Sequence, residues 1–180
     1  TMIPLKVIKI SYDSTAKTYA VILKEITGSK CLPIIIGSFE AQSIALALES
    51  IDSPRPLTHD LICDLINTDN GSLKSVRINN IKDGVFYAQL EIESNTFGSK
   101  IIDSRPSDAI TIALKMNKPI LVPIPIIEKA ILLEDSLVDD NEKSINLSLS
   151  TLKERLESAI EEEEYETAAK LRDKIIDLES

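Results

Sequence analysis

Three polar clusters in this chain have residue types that could do chemistry. The first is Phe39-Glu40-Ala41-Gln42. The second is Arg55-Pro56-Leu57-Thr58-His59-Asp60, with Asp64 one helical turn further on. The third is Asp103-Ser104-Arg105-Pro106-Ser107-Asp108. Asp60 and Asp64, spaced i, i+4, share a face if this stretch is helical. Carboxylates so placed suit a hard divalent cation, Mg²⁺ or Mn²⁺, and Asp103 and Asp108 complete the candidate ligand set. Arg55 and Arg105 carry the planar fork that grips a phosphate through two hydrogen bonds. His59 is the sole histidine, and histidine is the side-chain type best suited to moving protons near neutral pH. With Glu40 these residues make a candidate catalytic group of Glu40, Arg55, His59, Asp60, Arg105 and Asp108. The chemistry they suggest is metal-assisted phosphodiester hydrolysis, in which the ion activates water and offsets developing charge.

A plainer reading stands beside this one. Acidic residues at helix starts complement the helix dipole, which would account for Glu40, Asp60 and Asp108. Asp103 and Arg105 could pair with each other or with Asp108 and fix the start of a buried helix. Anion or small-molecule sensing at Arg55 and Arg105 is a third reading. Only convergence in space distinguishes a site from separate caps.

The elements that must position these clusters are legible from periodicity. Ile3, Leu5 and Val7 alternate as in a strand, and so do Tyr19, Val21 and Leu23 after the polar turn Asp13-Ser14-Thr15. Leu32 to Ile36 is a short apolar run suited to a buried strand. Ser38 and Thr58 are expected as caps of helices over Phe39 to Ser50 and His59 to Asn67. Strands are expected over 73–81 and 85–93, joined at Asp83-Gly84, a hairpin-turn pair, and a third over 97–102. Pro106 suits the first turn of a helix reaching about Met116. A short strand at 120–122 and a helix at 126–133 complete the set. Strands and helices without regular βαβ spacing predict an α+β fold, a mixed or antiparallel sheet packed with helices. The domain is expected over 1–134, an acidic flexible linker over 135–150 and a helical hairpin over 151–180.

Composition narrows the partners. Net charge is −9; residues 151–180 hold 5 Lys+Arg against 10 Asp+Glu, leaving −4 for the rest. Bulk electrostatics therefore do not draw phosphate backbones, and a nucleic-acid contact needs a local basic site or a bridging metal. Aromatics are 4% with no Trp, which disfavours a stacking platform for single strands. No run approaches the ~18 apolar residues of a membrane helix, and TMIPLKVIKI is strand-like rather than a leader. Cys31 and Cys63 lack metal spacing and are expected as buried thiols in a reducing compartment, so the expected location is the cytoplasm.

Two resemblances follow from particular stretches. Leu32 to Glu49, Arg55 to Ile66, Lys82 to Leu90 and Ile102 to Val122 resemble the bifunctional nuclease domain of bacteria and plants, over roughly residues 2–135. Glu40, Gln42, Arg55, Pro56, His59, Asp60, Asp103, Arg105, Pro106, Ser107 and Asp108 stand in those motifs. The resemblance implies a compact α+β domain, often dimeric or of higher order, acting on DNA and RNA. The final residues Leu152, Leu156, Ala159, Glu163, Tyr165, Glu166, Ala168, Ala169, Leu171, Arg172, Asp173 and Ile175 resemble the UVR motif. This is the helical hairpin shared by the B and C subunits of the bacterial excision-repair nuclease, and the resemblance implies a protein–protein contact. A hairpin of this size, below ~40 residues and without disulfide or metal, rarely folds alone. The expected function is therefore a nuclease with an interaction hairpin. The alternative is a non-catalytic regulatory scaffold that works through that hairpin.

Overall fold

Alternation sets the first strand of the structure: Leu5 and Val7 are buried, while Lys6 and Ile8 face outward. The computed structural model describes residues 1–130, and the fold and site below are those of these residues. The expected linker, the hairpin at 151–180 and the end of the last expected helix lie outside them.

Seven strands form one mixed sheet. They are β1 (Met2–Asp13), β2 (Thr18–Glu25), β3 (Cys31–Ile36), β4 (Ser72–Lys82), β5 (Val85–Ser94), β6 (Gly98–Ser104) and β7 (Ile120–Pro123). The order is β3-β2-β1-β7-β4-β5-β6. Two antiparallel meanders, β1–β2–β3 and β4–β5–β6, are stitched together by β7. This short strand pairs antiparallel with β1 (Ile3 opposite Val122) and parallel with β4 (Val76 opposite Ile120). The α+β expectation holds.

Turn chemistry fixes the registers. Asp83 and Gly84 both have positive φ, 51° and 77°, the two-residue hairpin geometry whose twist matches the flanking strands. The first meander turns on Asp13, whose Oδ1 accepts from the Thr15 and Ala16 N–H groups at 2.8 and 3.1 Å.

Four helices accompany the sheet: α1 (Ser38–Leu48), α2 (Thr58–Asn67), α3 (Pro106–Lys115) and α4 (124–130). The chain leaves β6 at the sheet edge and must return to β7 at its centre, so α3 crosses the sheet. It packs on β4 and β5 and against both α1 and α2. Ala109, Ile110, Thr111, Ile112 and Ala113 are buried in consequence. Thr111 satisfies its hydroxyl on the Ser107 carbonyl at 2.8 Å. The core joins Val21, Leu23, Leu32, Ile44, Val76 and Ile78 to this helix. Burying each such side chain contributes ~1.5–3 kcal/mol.

Three local expectations are corrected. Ser38 and Thr58 are the first helical residues rather than caps; Gly37 and Leu57 hold the cap positions, and neither has a side-chain cap bond. Cys31 is exposed, and only Cys63 is buried.

Candidate functional site

The first turns of α1, α2 and α3 meet at one place. α1 brings Glu40, α2 brings His59, and α3 brings Asp108 with Arg105 at its N-cap. Arg105 Nε and Nη2 donate to the two carboxylate oxygens of Asp108 at 2.8 and 3.2 Å, and Nη1 donates to Glu40 at 3.0 Å. His59 Nε2 lies 2.9 Å from Asp108 Oδ1. One guanidinium thus ties two helices together, and one carboxylate receives both the arginine and the histidine.

The cluster is graded from wet to dry. The Arg105 side chain is 66% exposed, Asp108 27% and His59 16%. Burial tends to push the Asp108 carboxyl up. The Arg105 and His59 hydrogen bonds outweigh it and hold the carboxyl below the usual range. The Asp108 hydrogen bond raises the Arg105 guanidinium in turn. Asp108 is therefore an ionised acceptor, so the His59 Nε2 facing it carries the proton. In the neutral imidazole Nδ1 is then the ring nitrogen that holds the lone pair. Gly37 makes room here: a Cβ on it would collide with the Glu40 carboxylate as it folds back over the start of α1.

Asp60 faces elsewhere. Its Oδ1 takes Lys115 Nζ at 2.6 Å, and its Oδ2 accepts the Leu57 N–H at 2.8 Å. The Lys115 bond, then the Leu57 bond, lower its pKa. For Asp60 the capping reading is the observed one, with a cation added. Asp60 and Asp64 do share a face: both line a cavity of about 480 Å³ with Asp52, Cys63, Lys115 and Lys118. His59, Arg105 and Asp108 do not line it. Burial pushes the Cys63 thiol up. Arg55 is exposed and makes no ion pair among the described residues.

The expected metal set is not assembled. Among the described residues no group of three or more His, Cys, Asp or Glu side chains is placed to hold a metal ion. Asp60 is committed to Lys115, Asp108 to Arg105 and His59, and Asp103 stands exposed on β6 opposite Gln89. As placed, these donors do not fit a protein-built cation cage. Asp103 joins neither Arg105 nor the cluster by any hydrogen bond or ion pair among the described residues. The residue that sequence reasoning missed is Lys115. It sits seven residues after Asp108, two turns along the same helix, and that spacing was the only hint.

A compact α+β domain whose three helix starts gather histidine, arginine and carboxylates defines the class. Comparison with known proteins gives the family. The family model for the Bifunctional nuclease domain matches residues 21–135, and that for the UvrB/uvrC motif matches residues 146–180. The chain belongs to the bifunctional nuclease domain family. It is 35% identical over 171 residues to an uncharacterized protein of Mycobacterium tuberculosis, covering 95% of this chain and 93% of that one. It is 30% identical over 111 residues to Bifunctional nuclease 1 of Oryza sativa subsp. japonica, 60% of this chain and 34% of that one. Identity to Bifunctional nuclease 1 of Arabidopsis thaliana is 23% over 179 residues, 87% of this chain and 55% of that one. The chain thus spans a third to a half of these plant relatives. Among the described residues no helix is long and apolar enough to cross a membrane.

Proposed function

We propose that this protein hydrolyses phosphodiester bonds in DNA or RNA, with His59 as the group that moves the proton. The observation carrying this reading is the 2.9 Å bond between His59 Nε2 and Asp108 Oδ1 where three helix starts meet. Asp108 fixes the tautomer, and His59 Nδ1 takes a proton from the attacking water as its oxygen bonds to phosphorus. The bond from phosphorus to the leaving oxygen breaks, and the imidazolium returns the proton to that oxygen. Arg105, the outermost member of the cluster, offsets charge on the phosphoryl oxygens. So does Arg55 on the loop before α2. Helix N-termini add partial positive charge in the same place. A divalent ion, Mg²⁺ or Mn²⁺, belongs to this proposal only as a requirement to be measured.

The test is cleavage of single-stranded DNA and RNA by the full chain in Mg²⁺, in Mn²⁺ and in EDTA, beside His59→Ala and Asp108→Asn. Loss of ~10²–10⁴-fold in His59→Ala, the scale of general acid–base catalysis, is the expected result. Undiminished cleavage in that variant would overturn the assignment.

The match at 146–180 favours a second role, in which the tail engages a protein partner. Tyr165→Ala with Leu171→Ala in the full chain should abolish capture of that partner. Retention would refute the tail's part. Should no nucleic acid be cleaved under any condition, the non-catalytic scaffold becomes the reading. A cytoplasmic homodimer or larger homo-oligomer completes the proposal; light scattering giving a mass near 19.9 kDa would refute the oligomer.

A further inference from the structure

We infer that Lys115 is a positioning residue for His59, acting through Asp60. This rests on the proposed role of His59. α2 is weakly seated by apolar contact: it fully buries only Cys63, with Ile62 and Ile66 partly packed, and Leu61 and Leu65 are exposed at 55% and 61%. α3 buries six residues and is firmly fixed. Polar pins therefore decide where the first turn of α2 lies. There are two. His59 reaches Asp108 at the start of α3, and Asp60 reaches Lys115 at its end. Seven residues separate the α3 anchors, about 10 Å along the axis. Two pins so far apart fix both the position and the rotation of the turn; His59–Asp108 alone would leave it free to pivot.

Burial sets this lysine apart. The Lys115 side chain is 17% exposed, against 41% for Lys30 and 50% for Lys74 in their ion pairs. Exposed pairs of that kind contribute little. Asp60 also accepts the Leu57 N–H, so the same carboxylate ties the lysine to the N-cap residue of α2. Removing the ammonium leaves a half-buried carboxylate without its cation. The turn shifts, and His59 leaves its line to Asp108. A misplacement of ~1 Å at a reacting group costs about 10²-fold in rate.

A chain with one histidine offers a direct readout. In full-length protein with histidine labelled with ¹⁵N in the ring only, the two His59 ring nitrogens are the sole signals. Lys115→Met, which keeps the aliphatic stem, should move them in the same direction as Asp108→Asn. Lys115→Arg should restore them. Kinetics on a single-stranded oligonucleotide should show kcat falling ~10–100-fold in Lys115→Met with KM nearly unchanged. Should Lys115→Met fail to fold, Asp60→Asn serves the same purpose by breaking the pin at its other end. Unchanged ring resonances in a folded variant would overturn the inference, whatever the activity. Resonances that move as expected in a protein without nuclease activity would support the positioning and sink the nuclease reading alone.

Discussion

Arg105 shows what a single side chain contributes here. Its Nε and Nη2 hold Asp108 while Nη1 holds Glu40 from a different helix. A lysine has one compact ammonium and cannot bridge both carboxylates with that geometry. A charge-assisted bond of this sort is worth ~1.5–3 kcal/mol, so Arg105→Lys should lower kcat/KM by roughly 10–100-fold. Activity within twofold of the parent would show that the fork serves packing rather than phosphate. The two thiols give a second test. Cys31 is exposed, while Cys63 is buried and its thiol is pushed up by that burial. Thiolate is the reactive form, so a disulfide reagent should modify one thiol quickly, and the second only with denaturant. Two fast equivalents would show that α2 opens more readily than the structure implies.

At the scale of elements, α3 is the piece on which the site depends, since both pins of α2 and the fork of Arg105 start from it. Ile110 is fully buried there. Ile110→Ala should cost ~2–5 kcal/mol by cavity formation, read as a fall in the urea midpoint at constant slope. A cost under ~1 kcal/mol would mean the site around α3 collapses to fill the void. Much of this element was legible: Pro106 at its first turn and the apolar run behind it announce a helix, as Asp83-Gly84 announces the hairpin between β4 and β5. The convergence of Glu40, His59, Arg105 and Asp108 was readable only as residue types at helix starts. What brings them together is β7, four residues that place the crossover in the middle of the sheet. No local pattern encodes that. The separation of the four candidate carboxylates among the described residues has the same cause. Asp60 and Asp64 share a face as their spacing implies, but which cation neutralises Asp60 depends on a lysine 55 residues away.

For the whole molecule, the two half-buried carboxylates make stability depend on pH with a definite sign. Asp60 and Asp108 both titrate below the ordinary aspartate range. A carboxyl lowered in the folded state binds its proton more readily when unfolded. Its contribution is complete above about pH 3.9, the value in the open chain, and is lost as pH falls through the lower folded value. Acid unfolding should therefore steepen below about pH 4, each linked proton adding up to ~1.4 kcal/mol per pH unit to the slope. The experiment is a series of urea titrations across this range on the parent and on Asp108→Asn. The variant should be less stable at neutral pH, because Arg105 and His59 lose their common anion. It should also lose stability less steeply in acid, because one of the linked protons is gone. Parallel slopes would place the acid response in other groups. They would also show that Asp108, despite its bonds to Arg105 and His59, is not held ionised by the fold.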